Sequence, residues 1–252
     1  MSTNDLKRLN DVFYIKGMSG LRIKVLLNEL LSDKEAKYLE VGIHAGSTFI
    51  AALWQNSAKV AYGVDNWSEY PEGHPRTAFS MNCKTHLSSS CRAKHIPTYV
   101  YSKSEHRTAM RISPPELGFV SELGSSVAHD VGKRPYYSTN ASLLEKDFFE
   151  TSASDFNHNK FNIYFYDGDH SEESQYKALE HMLNIGCLED EFIFLVDDYV
   201  WENVRKGTER GIKDLNLKIV HEEEFLPKCA VNQENFDGVG WWNGFYVSLL
   251  RK

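Results

Sequence analysis

The chain has 252 residues, 42% of them hydrophobic and 25% charged, which is typical of a globular protein, and we expect one domain over residues 1–252. It lacks the roughly 18 consecutive apolar residues that a membrane span needs, and residues 1–9 are too polar for a signal peptide, so we expect a cytoplasmic protein with no membrane partner. The net charge of −7 argues against nucleic-acid binding, and four scattered cysteines indicate reduced thiols.

The amino-terminal part predicts a helix followed by a βαβ unit. Apolar residues from Ile23 to Leu31 recur at helical spacing and predict an amphipathic helix that covers a sheet. A strand over 37–41, a glycine-bearing turn, a helix over 47–55 and a strand over 60–64 follow.

Residues 66–140 are irregular and carry most of the prolines, and we expect them to form an inserted cap between the second and third strands. Between His74 and Ser138 there are nine Lys or Arg residues against four acids, so this segment is basic while the rest is acidic. Its cations and tyrosines could grip an anionic or sugar-bearing small molecule, although a solvated loop explains them as well.

Regular order resumes after the insert and alternates between strand and helix. Strands are predicted over 143–148, before Asp167, before Asp197, over 217–225 and over 244–250. Helices are predicted over 172–185 and 203–215. The pattern predicts an α/β fold with a seven-stranded, mainly parallel sheet, helices on both faces and an antiparallel last strand.

The segment YLEVGIHAGS places Glu40 and two glycines between a strand and a helix. Gly42 and Gly46 could let the backbone approach a ligand, and Ser47 begins the helix, where free N–H groups suit an anion. Asp65 ends the next strand, where an acid can accept hydrogen bonds from ribose hydroxyls. A tight turn that needs glycine for geometry alone is the alternative.

Two acid pairs stand where apolar runs stop. Asp167 and Asp169 follow FNIYFY, and Asp197 and Asp198 follow EFIFLV. In open parallel sheets ligands bind at these strand ends, and clustered carboxylates suit hard cations such as Mg²⁺. The alternative is that the acids cap the following helices or form a solvated rim.

With these motifs in this order, the chain resembles the class I S-adenosylmethionine-dependent methyltransferases. It is similar in particular to metal-dependent sugar O-methyltransferases, whose fourth strand ends in DGDHS and whose fifth ends in DD followed by an aromatic residue. The resemblance covers residues 38–65 and 143–252 and leaves out the insert.

The resemblance implies a role for each matching residue. The cofactor S-adenosylmethionine would be held by a set of turn and strand-end residues: Glu40, Gly42, Gly46, Ser47, Asp65, Asp147 and Asp167. Mg²⁺ or another divalent cation would be held by Asp167, Asp197 and Asp198, with Asp169 as the general base. His170 is the alternative base, because its ordinary pKa is closer to neutrality.

Several alternatives remain open at this stage. Tyr199 and Trp201 are placed to touch substrate, whereas Trp241 and Trp242 suit packing or a lid. Zinc ligation is an alternative for the spacing of Cys83, His86, Cys91 and His95, against a helix with Phe79, Cys83 and Leu87 on its apolar face. A non-catalytic cofactor-binding or partner-activating protein, methylation of nitrogen or carbon, and an oligomer are also compatible with the sequence.

Overall fold

A computed structural model describes residues 12, 15, 17–56, 58–70, 73–87, 141–227 and 240–252. Seven strands form one sheet. They are β1 (Lys37–Val41), β2 (Val60–Val64), β3 (Ala141–Leu144), β4 (Phe161–Tyr166), β5 (Leu188–Asp197), β6 (Lys218–Phe225) and β7 (Phe245–Arg251). The helices are α1 (Leu21–Leu30), α2 (Ser47–Leu53), α3 (His74–His86), α4 (Glu172–Asn184) and α5 (Glu202–Asp214).

The strand order is β3-β2-β1-β4-β5-β7-β6, with β7 antiparallel to both of its neighbours and the other pairs parallel. The carboxyl ends of β1 to β5 therefore meet at one edge of the sheet. The prediction of a seven-stranded, mainly parallel sheet with an antiparallel last strand is confirmed.

Helices cover both faces because successive strand residues point to opposite sides. Leu39 of β1 packs into a core with α4 and α5, whereas its neighbour Tyr38 packs into a core with α1, α2 and α3. Tyr164 and Phe165 of β4 divide between the same two cores. The near-continuous apolar runs seen in the sequence thus serve two cores.

Two elements have boundaries that differ from the predictions by two residues or more. The strand predicted over 143–148 is Ala141–Leu144, because Asp147 accepts a hydrogen bond from the Phe149 N–H and begins a short 3₁₀ helix, Phe148–Glu150. Helix α2 ends at Leu53 instead of residue 55, since Gln55 adopts a left-handed φ of 58°.

The predicted insert is described only in part. Its first segment contains α3, in which Phe79 is buried and Cys83 and Leu87 pack beside it, as the apolar-face alternative predicted. The remaining stretch, with its basic residues and tyrosines, lies outside the described residues, and so do Cys91 and His95. Within the described part of the chain, no helix has the length and hydropathy of a membrane span.

Candidate active site

A cavity of about 620 Å³ lies at the carboxyl edge of the parallel strands. Most of the strand-end acids predicted from the sequence line it. They are Asp65, Asp147, Asp167, Asp169, Asp197 and Asp198, joined by Glu69. Because these acids outnumber the cavity's cations, the cavity favours a positively charged ligand.

Strand order sets the sequence of groups along this cavity. Asp147 follows β3, Asp65 follows β2, Asp167 follows β4, and Asp197 and Asp198 follow at the end of β5. Adjacent strands are about 4.8 Å apart, so Asp65 and Asp167, separated by β1, lie about 10 Å apart across the sheet. The cavity therefore has one end at β2 and β3 and another at β4 and β5.

Gly42 is required at the centre of this edge. Its φ is +85°, and a Cβ there would lie 1.9 Å from the carbonyl oxygen of Asp167. Gly46 also has a left-handed φ, of +81°, but a Cβ there would meet the Phe79 ring of α3. Gly42 lines the cavity, whereas the space beside Gly46 is filled by the protein itself.

Glu40 and Ser47 do not line the cavity. The Glu40 carboxylate is fully buried and accepts hydrogen bonds from Tyr38 Oη and Thr48 Oγ1, each at 2.5 Å. Burial raises the pKa of Glu40 to about 7. Ser47 Oγ donates to the carbonyl oxygen of Ile15 at 2.9 Å, so its hydroxyl is directed at the amino-terminal segment.

Asp65 is held by the backbone that surrounds it. It accepts hydrogen bonds from the N–H groups of His44 at 2.8 Å and Trp67 at 2.7 Å. Burial raises its pKa despite these two donors. Each carboxylate oxygen can accept a further hydrogen bond, so Asp65 can still bind hydroxyl groups in the cavity.

Asp147 also lies at the β2 and β3 end of the cavity, beside two phenylalanines. Phe148 and Phe149 line the cavity with it, and the His181 ring packs edge-on against both, with centroid distances of 5.0 and 6.0 Å. This end thus combines two acids with aromatic surface, which suits a ligand that has a flat ring and hydroxyl groups.

At the opposite end, Asp167, His170 and Asp198 converge. One ligand atom from each lies within 4.8 Å of the other two. Burial raises the pKa of Asp167 well above its usual value, and repulsion from Asp197 and Asp198 adds to this rise. A cation between these groups would relieve that repulsion.

His170 contacts Asp198 directly. Its Nε2 is 2.9 Å from Asp198 Oδ2. This contact forms an ion pair when the imidazole is protonated. Burial lowers the pKa of His170, but the Asp198 carboxylate outweighs burial and leaves the pKa raised.

The remaining predicted acids have other contacts. Asp197 is buried, and its two oxygens accept from Ser19 Oγ at 3.2 Å and from the Asp198 N–H at 2.9 Å. Asp169 is exposed and accepts from the hydroxyl and N–H of Ser171, whose hydroxyl in turn caps α4. The Ser171 hydroxyl lowers the pKa of Asp169.

The aromatic residues after the second acid pair have separate positions. Trp201 lines the cavity and packs edge-on against His170, with a distance of 4.7 Å between the ring centroids. Tyr199, the other residue expected beside substrate, is buried and stacks on Tyr246. Trp241 stacks on Phe225 in the core.

Some cavity residues carried no signal that we used in the sequence. His44 lies within the glycine turn and could have been found there. Met18, Tyr70 and Asn243 come from other parts of the chain and meet only in the folded protein, where Trp242, interpreted from the sequence as a packing or lid residue, also lines the cavity.

Comparison with known proteins gives the family but little sequence similarity to individual members. Residues 39–199, more than half of the chain, match the family described as "Methyltransferase domain". No curated protein sequence matches the chain.

The solved structures that resemble the chain are distant in sequence. An O-methyltransferase from Bacillus cereus in complex with S-adenosylhomocysteine has a TM-score of 0.52 and 11% identity, over 97% of this chain and 91% of that one. The O-methyltransferase TomG from Streptomyces achromogenes has a TM-score of 0.45 and 12% identity, over 92% and 80%.

Other matched structures are longer proteins. TrmN from Thermus thermophilus has a TM-score of 0.48 and 11% identity, and the match covers 96% of this chain and 52% of TrmN. The chain thus spans about half the length of TrmN. It likewise covers 48% of SMU.776, a structure solved in complex with S-adenosylhomocysteine. The Bacillus structure supports the fold assignment.

Proposed function

The chain belongs to the methyltransferase-domain family, and we propose that it is an S-adenosylmethionine-dependent enzyme that methylates an oxygen atom of a small molecule with the help of Mg²⁺. A hydroxyl on a sugar is the acceptor that we favour. The observation that carries the proposal is the convergence of Asp167, His170 and Asp198 at one end of the cavity, with Asp65 and Asp147 at the other.

The β2 and β3 end would hold the adenosine part of the cofactor. Asp65 offers acceptor oxygens to the ribose hydroxyls, and the rings of Phe148 and Phe149 offer apolar surface to adenine. S-adenosylmethionine supplies a methyl group on a positively charged sulfonium. The acids along the cavity suit that charge, and they favour a neutral sugar over an anionic acceptor.

The residues at the β4 and β5 end fit a divalent cation. Asp167 and Asp198 provide oxygen atoms from two paired strands, and their mutual repulsion favours positive charge between them. Mg²⁺ bound there would lower the pKa of an acceptor hydroxyl and fix its position. We keep Asp197 as a nearby charge, because it is not among the groups whose ligand atoms converge.

We assign the general base to His170. Its ring borders the cavity, and the Asp198 carboxylate, 2.9 Å from Nε2, raises its pKa, which makes the neutral imidazole a stronger base toward an acceptor hydroxyl. Asp169 is exposed, and its lowered pKa makes it a weaker base. Mg²⁺ prefers oxygen ligands, which leaves the imidazole for proton transfer. Trp201 packs on the ring and limits its exposure to water.

The proposal is tested by binding and turnover together. Calorimetry should show S-adenosylhomocysteine binding, and release of this product should be measured with a panel of neutral glycosides, with and without a chelator. Asp198→Asn should abolish chelator-sensitive turnover and change S-adenosylhomocysteine affinity by less than about threefold, because Asp198 lies at the cation end of the cavity.

Asp190→Asn is the matched control, since Asp190 is an exposed acid near the other end of the same strand. Turnover that resists the chelator would remove the metal from the mechanism. Failure to bind S-adenosylhomocysteine would contradict the whole proposal. Binding with no turnover on any hydroxylated acceptor would favour a non-catalytic cofactor-binding protein.

A further inference from the structure

We infer that Asn243 is a positioning residue that turns Asp198, and not its neighbour Asp197, toward the cation. The inference rests on the proposed function, because it concerns the same cation. It explains why one acid of a sequence-adjacent pair joins the group with Asp167 and His170 while the other does not.

Asn243 contacts Asp198 directly. Its Nδ2 donates to Asp198 Oδ1 at 2.7 Å, while Asp198 Oδ2 lies 2.9 Å from His170 Nε2. The amide thus occupies one carboxylate oxygen and leaves the other facing Asp167 and His170. A donor in this place restricts the rotation of the carboxylate, as residues behind metal ligands commonly do.

The loop that carries Asn243 is fixed to the chain that follows Asp198. The carbonyl oxygen of Asn243 accepts from the Val200 N–H at 2.9 Å, and that of Gly244 accepts from the Tyr199 N–H at 3.3 Å. These two bonds set the distance between the Asn243 side chain and Asp198. The amide is therefore placed by the backbone and does not depend on a flexible loop.

The backbone of Asp198 separates the two acids. Asp198 has a φ of 55°, in the left-handed region, so its side chain leaves the strand in a different direction from that of Asp197. Its N–H donates to Asp197 Oδ1 at 2.9 Å. Because the two carboxylates point in different directions, their side-chain hydrogen-bond donors come from different parts of the protein, Ser19 for Asp197 and Asn243 for Asp198.

Asp197 has its own donor, on the amino-terminal segment, and this keeps it out of the group. Ser19 Oγ donates to Asp197 Oδ2 at 3.2 Å. The segment that carries Ser19 is also held at Ile15, whose carbonyl oxygen accepts hydrogen bonds from Ser47 Oγ and Lys24 Nζ, both at 2.9 Å. Asp197 is thus oriented by Ser19, whereas Asp198, which Asn243 contacts, is the acid of the pair that converges with Asp167 and His170.

The test uses Mn²⁺ as the probe, because free Mn²⁺ is measured by electron paramagnetic resonance. Asn243→Ala should weaken Mn²⁺ binding about 10- to 100-fold, the usual cost of losing a residue behind a metal ligand. S-adenosylhomocysteine affinity should change less than about twofold, since Asn243 acts at the cation end. Asn243→Leu has a side chain of similar size but no hydrogen-bond donor. It should weaken Mn²⁺ binding as Asn243→Ala does and leave S-adenosylhomocysteine affinity unchanged, which would exclude a loss of packing as the cause.

Asn162→Ala is the matched control. Asn162 also bonds backbone groups, those of Lys37 and Glu35, but at the opposite end of the sheet, and its loss should alter neither affinity. Wild-type Mn²⁺ affinity in both Asn243 variants would overturn the inference and leave the proposed function standing. A wild-type protein that binds S-adenosylhomocysteine but no Mn²⁺ would overturn both the cation and this inference.

Discussion

Removing the charge of Glu40 should make the protein less sensitive to alkaline pH. Glu40 is fully buried between Tyr38 and Thr48, and burial raises its pKa from 4.5 to about 7. A raised pKa in the folded state means that its contribution to stability is fully present below the unfolded pKa and is lost as pH rises through the folded value. Glu40→Gln keeps the shape of the side chain and cannot ionise.

The size of the effect follows from the two pKa values. A shift from 4.5 to about 7 corresponds to about 3 kcal/mol between the two protonation states. Between pH 5 and pH 8, linkage converts this shift into a loss of about 2–3 kcal/mol in the free energy of unfolding. Other buried acids titrate in both proteins, so the wild type minus Glu40→Gln difference isolates Glu40.

The assay is urea unfolding followed by tryptophan fluorescence at pH 5, 6, 7 and 8. Wild type should lose about 2–3 kcal/mol more than Glu40→Gln over this range. Glu29→Gln, which changes an exposed glutamate on α1, should show the wild-type slope. Equal slopes for wild type and Glu40→Gln would refute the reasoning, because Glu40 would then ionise in the folded protein as it does in the unfolded chain.

Two further predictions concern the strand ends. Gly42→Ala should lower the free energy of unfolding by much more than Gly186→Ala, because a Cβ at Gly42 also collides with the Asp167 carbonyl oxygen. Gly186→Ala has only the cost of a left-handed φ, about 1–2 kcal/mol. Equal losses for the two variants in urea titrations would show that the protein relieves the collision at Gly42 at no cost. His170→Gln should lower kcat about 10²- to 10⁴-fold and leave S-adenosylhomocysteine affinity unchanged. Asp169→Asn should lower kcat far less. The reverse order of the two losses would make Asp169 the base. Because the base must be neutral, wild-type kcat should rise with pH as the imidazole of His170 loses its proton, and a flat profile would contradict this assignment.

The sequence predicted the parts of the site that depend on local rules. The strands over 37–41 and 60–64 have the predicted bounds, and the acids after β4 and β5 do lie at neighbouring strand ends. Apolar runs that stop at Asp or Gly are sufficient for this, because parallel strands with helical crossovers bring their carboxyl ends to one edge. The third strand was placed too late, since the cap formed by Asp147 competes with strand extension.

Side-chain direction could not be predicted in the same way. Glu40 and Ser47 carry the expected motif, yet the first is buried against Tyr38 and the second bonds the Ile15 carbonyl. The amino-terminal segment that receives Ser47 is distant in sequence, and its position depends on packing against α2. A motif therefore identifies residue types at a strand end without fixing which atoms face the cavity.

By itself the sequence determined the fold class and the edge of the sheet where the acids gather, because hydrophobic periodicity and strand-end residues are properties of short stretches of chain. Only the tertiary structure decided that Asp198 joins Asp167 and His170 while Asp197 bonds Ser19. The two aspartates are adjacent and chemically identical. Their difference comes from a left-handed backbone at Asp198 and from donors 178 and 45 residues away, which only folding brings into contact.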